Sequence, residues 1–311
     1  DKVLDPWNDR WIPESIYPEL KEYPWDQTIG IVSVLETGQE EYNWVIDDFT
    51  PVALNETQSN LIIYELLIRD FVESRDIKDV IDTLDYLQKL GINAIELLPV
   101  NEFDGNDSWG YNPAFYFATD KAYGSKDDYK TFIDECHQRG IAVILDVVYN
   151  HSFGQSPFVQ MYNEGTTGPP TPDNPWLNSD ADLVTPGYQA CHPYNVGYDF
   201  NHQSPYTRQL VKDNLEYWMN EYKIDGFRFD LSKGFTQTYS GDDVGYWSQY
   251  DQSRIDILTE YYNHIKYVNP NAYVIFEHLA ENDEEVVLAN MGVLLWGVMN
   301  EQFNQNTMGW D

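Results

Sequence analysis

In the run Asp225-Gly226-Phe227-Arg228-Phe229-Asp230, an arginine and a carboxylate stand two residues apart. Residues 223–229 read as a short buried strand, and side chains at i and i+2 leave the same strand face. Arg228 and Asp230 are therefore expected to form an ion pair at the strand's C-terminal end. The fixed positive charge is expected to lower the Asp230 pKa and hold its orientation, which is what a carboxylate nucleophile needs. Taken alone, the same pair also reads as a structural cap on a strand end.

Other polar residues end other apolar runs. One run closes in Asp146-Val147-Val148-Tyr149-Asn150-His151 and another in Glu277-His278. A third is followed by Asn101-Glu102-Phe103 and Trp109-Gly110-Tyr111-Asn112-Pro113. The elements that carry them are legible. Residues 61–66, 92–98, 141–148, 223–229, 272–276 and 293–298 read as strands. Residues 77–90, 127–139, 206–222 and 252–268 read as amphipathic helices, with Gly91 and Gly140 ending the first two. Apolar strands alternating with helices imply a parallel sheet covered by helices. Six such steps without a Rossmann glycine signature favour an α/β fold of the (β/α)8 TIM-barrel type, whose chemistry gathers at the C-terminal strand ends. Asp230 and Glu277 then occupy neighbouring strands, and paired carboxylates across a cleft are the machinery of glycoside hydrolysis.

These motifs, in this order on these strand ends, resemble the α-amylase superfamily of glycoside hydrolases over about residues 60–300. The resemblance implies Asp230 as nucleophile, Glu277 as general acid and then base, and Arg228 as the group that keeps Asp230 ionised. It implies His151 bonding hydroxyls of the cleaved sugar, Tyr111 stacking on its ring and Asp146 orienting Arg228. Trp109 and His278 join them on the substrate-binding rim. It also implies a calcium ion held by Asn150 and by Asp199 of Gly197-Tyr198-Asp199-Phe200-Asn201, since calcium takes oxygen donors. One departure touches that ion. Many α-amylases have Lys-His where this chain has Lys233-Gly234; glycine keeps the carbonyl but loses the ring.

The expected organisation follows. Residues 1–57 form an extended segment, the tail of or linker from a lost β-sandwich domain. Residues 58–151 begin the barrel, 152–205 form a small subdomain inserted after strand three, and 206–311 carry strands four to six. The superfamily's third acid, an aspartate after strand seven preceded by Asn-His, has no counterpart after Glu277. The chain is thus expected to be an internal fragment, truncated after about strand six, whose activity depends on the remaining strands.

Composition narrows the partners. With 18 Lys and Arg against 52 Asp and Glu, the net charge of -34 argues against nucleic acid and anionic membranes. No apolar run is long enough for a membrane span. Cys136 and Cys191 offer neither a disulfide framework nor zinc spacing. The partner expected is an α-glucan, and the location extracellular, periplasmic or at the cell surface. Retaining, endo-acting α-1,4-glucan hydrolysis is the leading expectation. A pullulanase-like debrancher, a branching enzyme, a trehalose-releasing hydrolase and a glucan-binding chain without turnover stand beside it.

Overall fold

The computed structural model describes residues 2–18, 20–28, 30–58, 60–166, 168–179, 190–194, 196–297 and 300–309. Its centre is one parallel sheet of six strands: β1 (Ile63–Leu66), β2 (Ala94–Leu97), β3 (Ala142–Val147), β4 (Gly226–Phe229), β5 (Tyr273–Phe276) and β6 (Leu294–Leu295). Each pairs with the next in chain order. An unreversed order belongs to the (β/α)8 barrel; a doubly wound sheet reverses at a switch point.

The two faces of this sheet differ in kind. Ile95, Leu97, Val143, Leu145, Val147, Phe227, Phe229, Val274 and Phe276 pack outward in the large core with the helices. Ala94, Ala142, Ile144, Tyr273 and Ile275 form a smaller inner cluster, covered by Phe49, Leu54, Leu61, Ile63, Leu294 and Trp296. Helices Lys126–Gln138, Pro205–Glu221 and Gln252–Val268 cover the outside, each within a residue of its expected bounds. Local chemistry fixes their starts. Ser125 makes a capping box with Asp128, Ser204 caps a helix opening on Pro205, and the Asp251 carboxylate accepts from Ser253 and Arg254 amides.

Several expectations are corrected. Residues 77–90 form two helices, Ile77–Ile81 and Leu84–Lys89. At the break, the Thr83 hydroxyl donates to the Val80 carbonyl at 2.7 Å, the back-bonding by which threonine disturbs a helix. Strand β4 starts at Gly226, not 223, because Lys223 is left-handed with φ 54°. β6 covers Leu294–Leu295 only, and Val298 lies outside the described residues. Asn101–Phe103 pairs antiparallel with Pro113–Thr119 in a hairpin that the strand pattern did not announce.

Within the first 57 residues, Val3–Leu4 pairs with Val32–Ser33. Residues 42–46 form no strand; the Asp134 carboxylate accepts the Val45 and Ile46 amides at 2.8 and 2.9 Å, tying this segment to a barrel helix. Between residues 152 and 205, helix Pro157–Gln160 and the pairing of His151–Ser152 with Tyr198–Asp199 are described. Cys136 and Cys191 are both buried, and the Cys191 thiol donates to Gln237 Oε1 at 3.3 Å. No described helix is long and apolar enough to cross a membrane.

Candidate active site

The β3–β4 register places Arg228 opposite Asp146, and both point into the inner face. Arg228 is 2% exposed and bonds three carboxylates. Its Nη1 donates to Asp146 at 2.8 and 2.9 Å and to Asp230 Oδ1 at 3.2 Å, while Nη2 lies 3.0 Å from Glu277 Oε2. Trp296, just after β6, lies under the guanidinium at 4.1 Å. Sequence spacing thus brings Arg228 and Asp230 together on one face, and the neighbouring strand adds Glu277.

The turn after β4 completes the arrangement. Leu231 is left-handed at φ 45° and ψ 42°, an unusual conformation for a branched residue. It aims the Leu231 amide at Glu277 Oε2, 3.0 Å away. Nothing in the identity of Leu231 signals this role. Tyr111 comes from the hairpin loop, and its hydroxyl donates to Asp146 Oδ2 at 2.6 Å. Gly110 allows that approach, since its φ is +94° and a Cβ there would fall 2.2 Å from the Pro99 carbonyl oxygen. Trp109 beside it is 59% exposed, an open aromatic surface on the rim.

The electrostatics differ from the simple ion-pair expectation. Burial pushes Asp230 up to about 7; Arg228 opposes this and the Glu277 charge adds to it. Burial likewise raises Asp146 to about 7 against Arg228, with Asp230 adding to the rise. One guanidinium shared among three acids does not overcome desolvation of the whole group. The two aspartates lie close enough for their titrations to be linked.

A family model described as the catalytic domain of alpha amylase matches residues 69–290, which span β2 to β5 and carry Asp146, Arg228, Asp230 and Glu277. The chain belongs to the α-amylase family. It is 31% identical over 205 residues to a malto-oligosyltrehalose trehalohydrolase of Saccharolobus solfataricus, covering 66% of this chain and 32% of that protein. It is 30% identical over 265 residues to the chloroplastic isoamylase SU1 of Zea mays, covering 76% and 31%. Among solved structures, the Bacillus subtilis type I pullulanase with maltose superposes with a TM-score of 0.58 at 26% identity, covering 79% of this chain and 34% of that one. The chain thus spans about a third of the length of these α-amylase family proteins.

The remaining expected residues lie around this centre. His151 is 2% exposed; its Nε2–H donates to the Tyr111 carbonyl at 2.8 Å, and Nδ1 faces the Asn150 amide nitrogen at 3.3 Å. Burial lowers its pKa to about 4, so the ring is neutral. A sugar hydroxyl bonding His151 has to displace one of these partners. His278 is not brought to the rim. It is 1% exposed, with Nδ1 3.0 Å from Ser232 Oγ and Nε2 2.7 Å from Glu284 Oε1. Glu284 in turn accepts Arg254 through both oxygens at 2.7 Å. Ser232 closes this network on the site, because its amide and hydroxyl both donate to the Glu277 carbonyl at 3.0 Å. The network steadies the backbone that carries Glu277, and Ser232, Glu284 and Arg254 escaped the sequence reading.

Asn150 and Asp199 are adjacent to the active centre on its insert side. Asn150 Oδ1 is buried without a hydrogen-bond donor, while Asp199 Oδ1 faces His192 Nε2 at 3.3 Å. An amide oxygen and a carboxylate oxygen are donor types that calcium accepts. No group of three or more His, Cys, Asp or Glu side chains gathers among the described residues.

Proposed function

We propose that this chain carries the catalytic centre of a retaining α-glucan hydrolase. The observation that supports it most is the single guanidinium of Arg228 holding both Asp230 and Glu277. Two acids on one guanidinium are close together, and a close pair is the retaining arrangement; an inverting pair stands apart to admit a water. In the first step Asp230 attacks the anomeric carbon while Glu277 protonates the departing glycosidic oxygen. In the second, Glu277 takes a proton from water, the hydroxide oxygen attacks the anomeric carbon, and the bond to Asp230 breaks. Tyr111 and Trp109 supply aromatic surface for the sugars.

This chemistry serves both α-1,4 and α-1,6 bonds. The relatives are a trehalohydrolase, an isoamylase and a pullulanase, which supports debranching or trehalose release at least as well as endo-acting α-1,4 cleavage. A glucan polymer does not cross a membrane intact, so the proposal includes an extracellular, periplasmic or cell-surface enzyme.

The test is reducing-sugar release from amylose and from pullulan by the chain and by Asp230→Asn. The substitution is expected to reduce release by a thousandfold or more, roughly the cost of losing a nucleophile. Release from amylose selects the α-1,4 reading and release from pullulan the debranching one. Undiminished release by Asp230→Asn would remove the nucleophile. Glucan binding without release by either protein would favour a binding role.

A further inference from the structure

Behind Glu277, one hydroxyl proton has two acceptors. Ser232 opens the short turn Ser232–Gly234 after β4 and is fully buried. Its Oγ lies 3.0 Å from the Glu277 carbonyl oxygen and 3.0 Å from His278 Nδ1. A serine hydroxyl carries a single hydrogen, so it donates to one of them at a time. The Ser232 amide donates to the Glu277 carbonyl in either case, also at 3.0 Å.

The choice is set on the other side of the ring. His278 Nε2 lies 2.7 Å from Glu284 Oε1, and Glu284 is fully buried. The Glu284 carboxylate is held by Arg254, from Nε and Nη2 at 2.7 Å each, and by the Asp251 amide at 2.8 Å. Burial raises the Glu284 pKa, but the His278 and Arg254 bonds outweigh it and hold the group below the usual carboxylate range. An ionised carboxylate only accepts, so His278 Nε2 carries a hydrogen in both states of the ring. Nδ1 is then the position that titrates. In the neutral ring it is an acceptor and draws the Ser232 hydroxyl to itself. In the charged ring Nδ1–H donates to Ser232 Oγ, and the hydroxyl hydrogen turns to the Glu277 carbonyl. The bond from that hydroxyl to Glu277 is thus conditional on the charge of His278.

We propose that Ser232 and His278 are positioning residues that form a proton-operated clamp on the backbone of Glu277. Protonating Nδ1 adds a second hydrogen bond to the Glu277 carbonyl, and losing that proton removes it. The charged groups that face the ring are Glu284 from helix Asn282–Met291, Arg254 from helix Gln252–Val268 and Lys233 from the turn after β4. Burial pushes His278 below the usual 6.5; Glu284 opposes this, and Arg254 and Lys233 add to it. The clamp is therefore open near neutral pH and closes on acidification. Leu231, the residue before Ser232, donates its amide to Glu277 Oε2 at 3.0 Å, so one turn holds both the backbone and the carboxyl of Glu277. The value of the clamp to catalysis rests on the reading of Glu277 as acid and base; its existence does not.

The test is an NMR titration without substrate. Glu277–His278 is the one Glu-His step in the sequence. In a chain labelled with carbon-13 at glutamate carbonyls and nitrogen-15 in histidine, the Glu277 carbonyl is therefore identified by its bond to the labelled His278 amide. Its resonance is followed against pH together with the ring nitrogens of His278, which are assigned by their loss in His278→Gln. The neutral ring is expected to carry its hydrogen on Nε2. Ring and carbonyl are expected to shift with one midpoint, below 6.5. Ser232→Ala is expected to remove most of the carbonyl shift while the ring still titrates. A carbonyl that stays put while the ring titrates would overturn the proposal with no variant needed. So would a neutral ring protonated on Nδ1, a ring that does not titrate before the chain unfolds, or an equal carbonyl shift in Ser232→Ala. These signals are independent of the Asp230→Asn assay, so the clamp and the hydrolase reading fail separately.

Discussion

At the scale of single residues, the active centre is a contest between desolvation and one shared positive charge. Arg228 serves Asp146, Asp230 and Glu277 together, so none receives the full benefit of an exclusive ion pair. Asp230 is expected to titrate near 7, well above the ordinary aspartate range. Since the nucleophile must be ionised, kcat/KM should fall as the pH drops through that region, with the limb shared between Asp146 and Asp230. Carbon-13 NMR of labelled aspartate carboxyls, with Asp230→Asn to assign the resonance, measures this without any substrate. Titration of Asp230 below 4 would show that Arg228 prevails over burial. The sequence showed that Arg228 and Asp230 share a face. It did not show the degree of burial, which depends on Trp296 and Tyr111 closing over the guanidinium from distant parts of the chain.

At the scale of elements, strands and long helices were legible because their patterns are local and repeated. Helix Gln252–Val268 carries an Asp cap and a steady apolar stripe, and its bounds match the expected ones. The break at Thr83 was hidden because the stripe from Ile77 to Leu87 continues across it. The hairpin Asn101–Phe103 with Pro113–Thr119 had a signal that went unused: a seven-residue run, Pro-Ala-Phe-Tyr-Phe-Ala-Thr, rich in aromatic strand formers. His278 illustrates the converse. Standing next to Glu277 in the chain, it alternates to the opposite side of the strand end and meets Glu284. The hairpin loop supports a paired prediction. Gly110 and Gly105 have nearly equal φ, +94° and +90°, but only Gly110 packs against the Pro99 backbone. Gly105→Ala should cost about 1 kcal/mol of left-handed strain, and Gly110→Ala a few kcal/mol more, as rough magnitudes. Thermal unfolding of the two variants side by side checks this; equal losses would mean the Pro99 contact yields freely.

At the scale of the whole molecule, the inner face of the sheet sets the pH range of stability. Glu96 on β2 stands in register with Glu65 on β1, and Glu96 is 3% exposed. Burial, with Asp146 adding to it and Arg228 opposing, pushes Glu96 up to about 8 from 4.5. The sign follows from proton counts. Between pH 4.5 and 8 the folded chain holds a proton that the unfolded chain has released, so raising the pH favours unfolding. The contribution is fully present below 4.5 and declines by roughly 1.4 kcal/mol per pH unit until the folded group itself ionises. Glu96→Gln keeps the shape of the side chain and removes the proton equilibrium. Asp146 and Asp230 titrate in both proteins, so the difference between the two isolates Glu96. The variant and the parent chain should therefore differ little more at pH 5 than below it, and the variant should gain progressively on the parent up to pH 8. Urea unfolding across this range measures the divergence. Parallel stability curves would mean that Glu96 is already ionised in the folded chain, with Arg228 drawn toward β2 to compensate it.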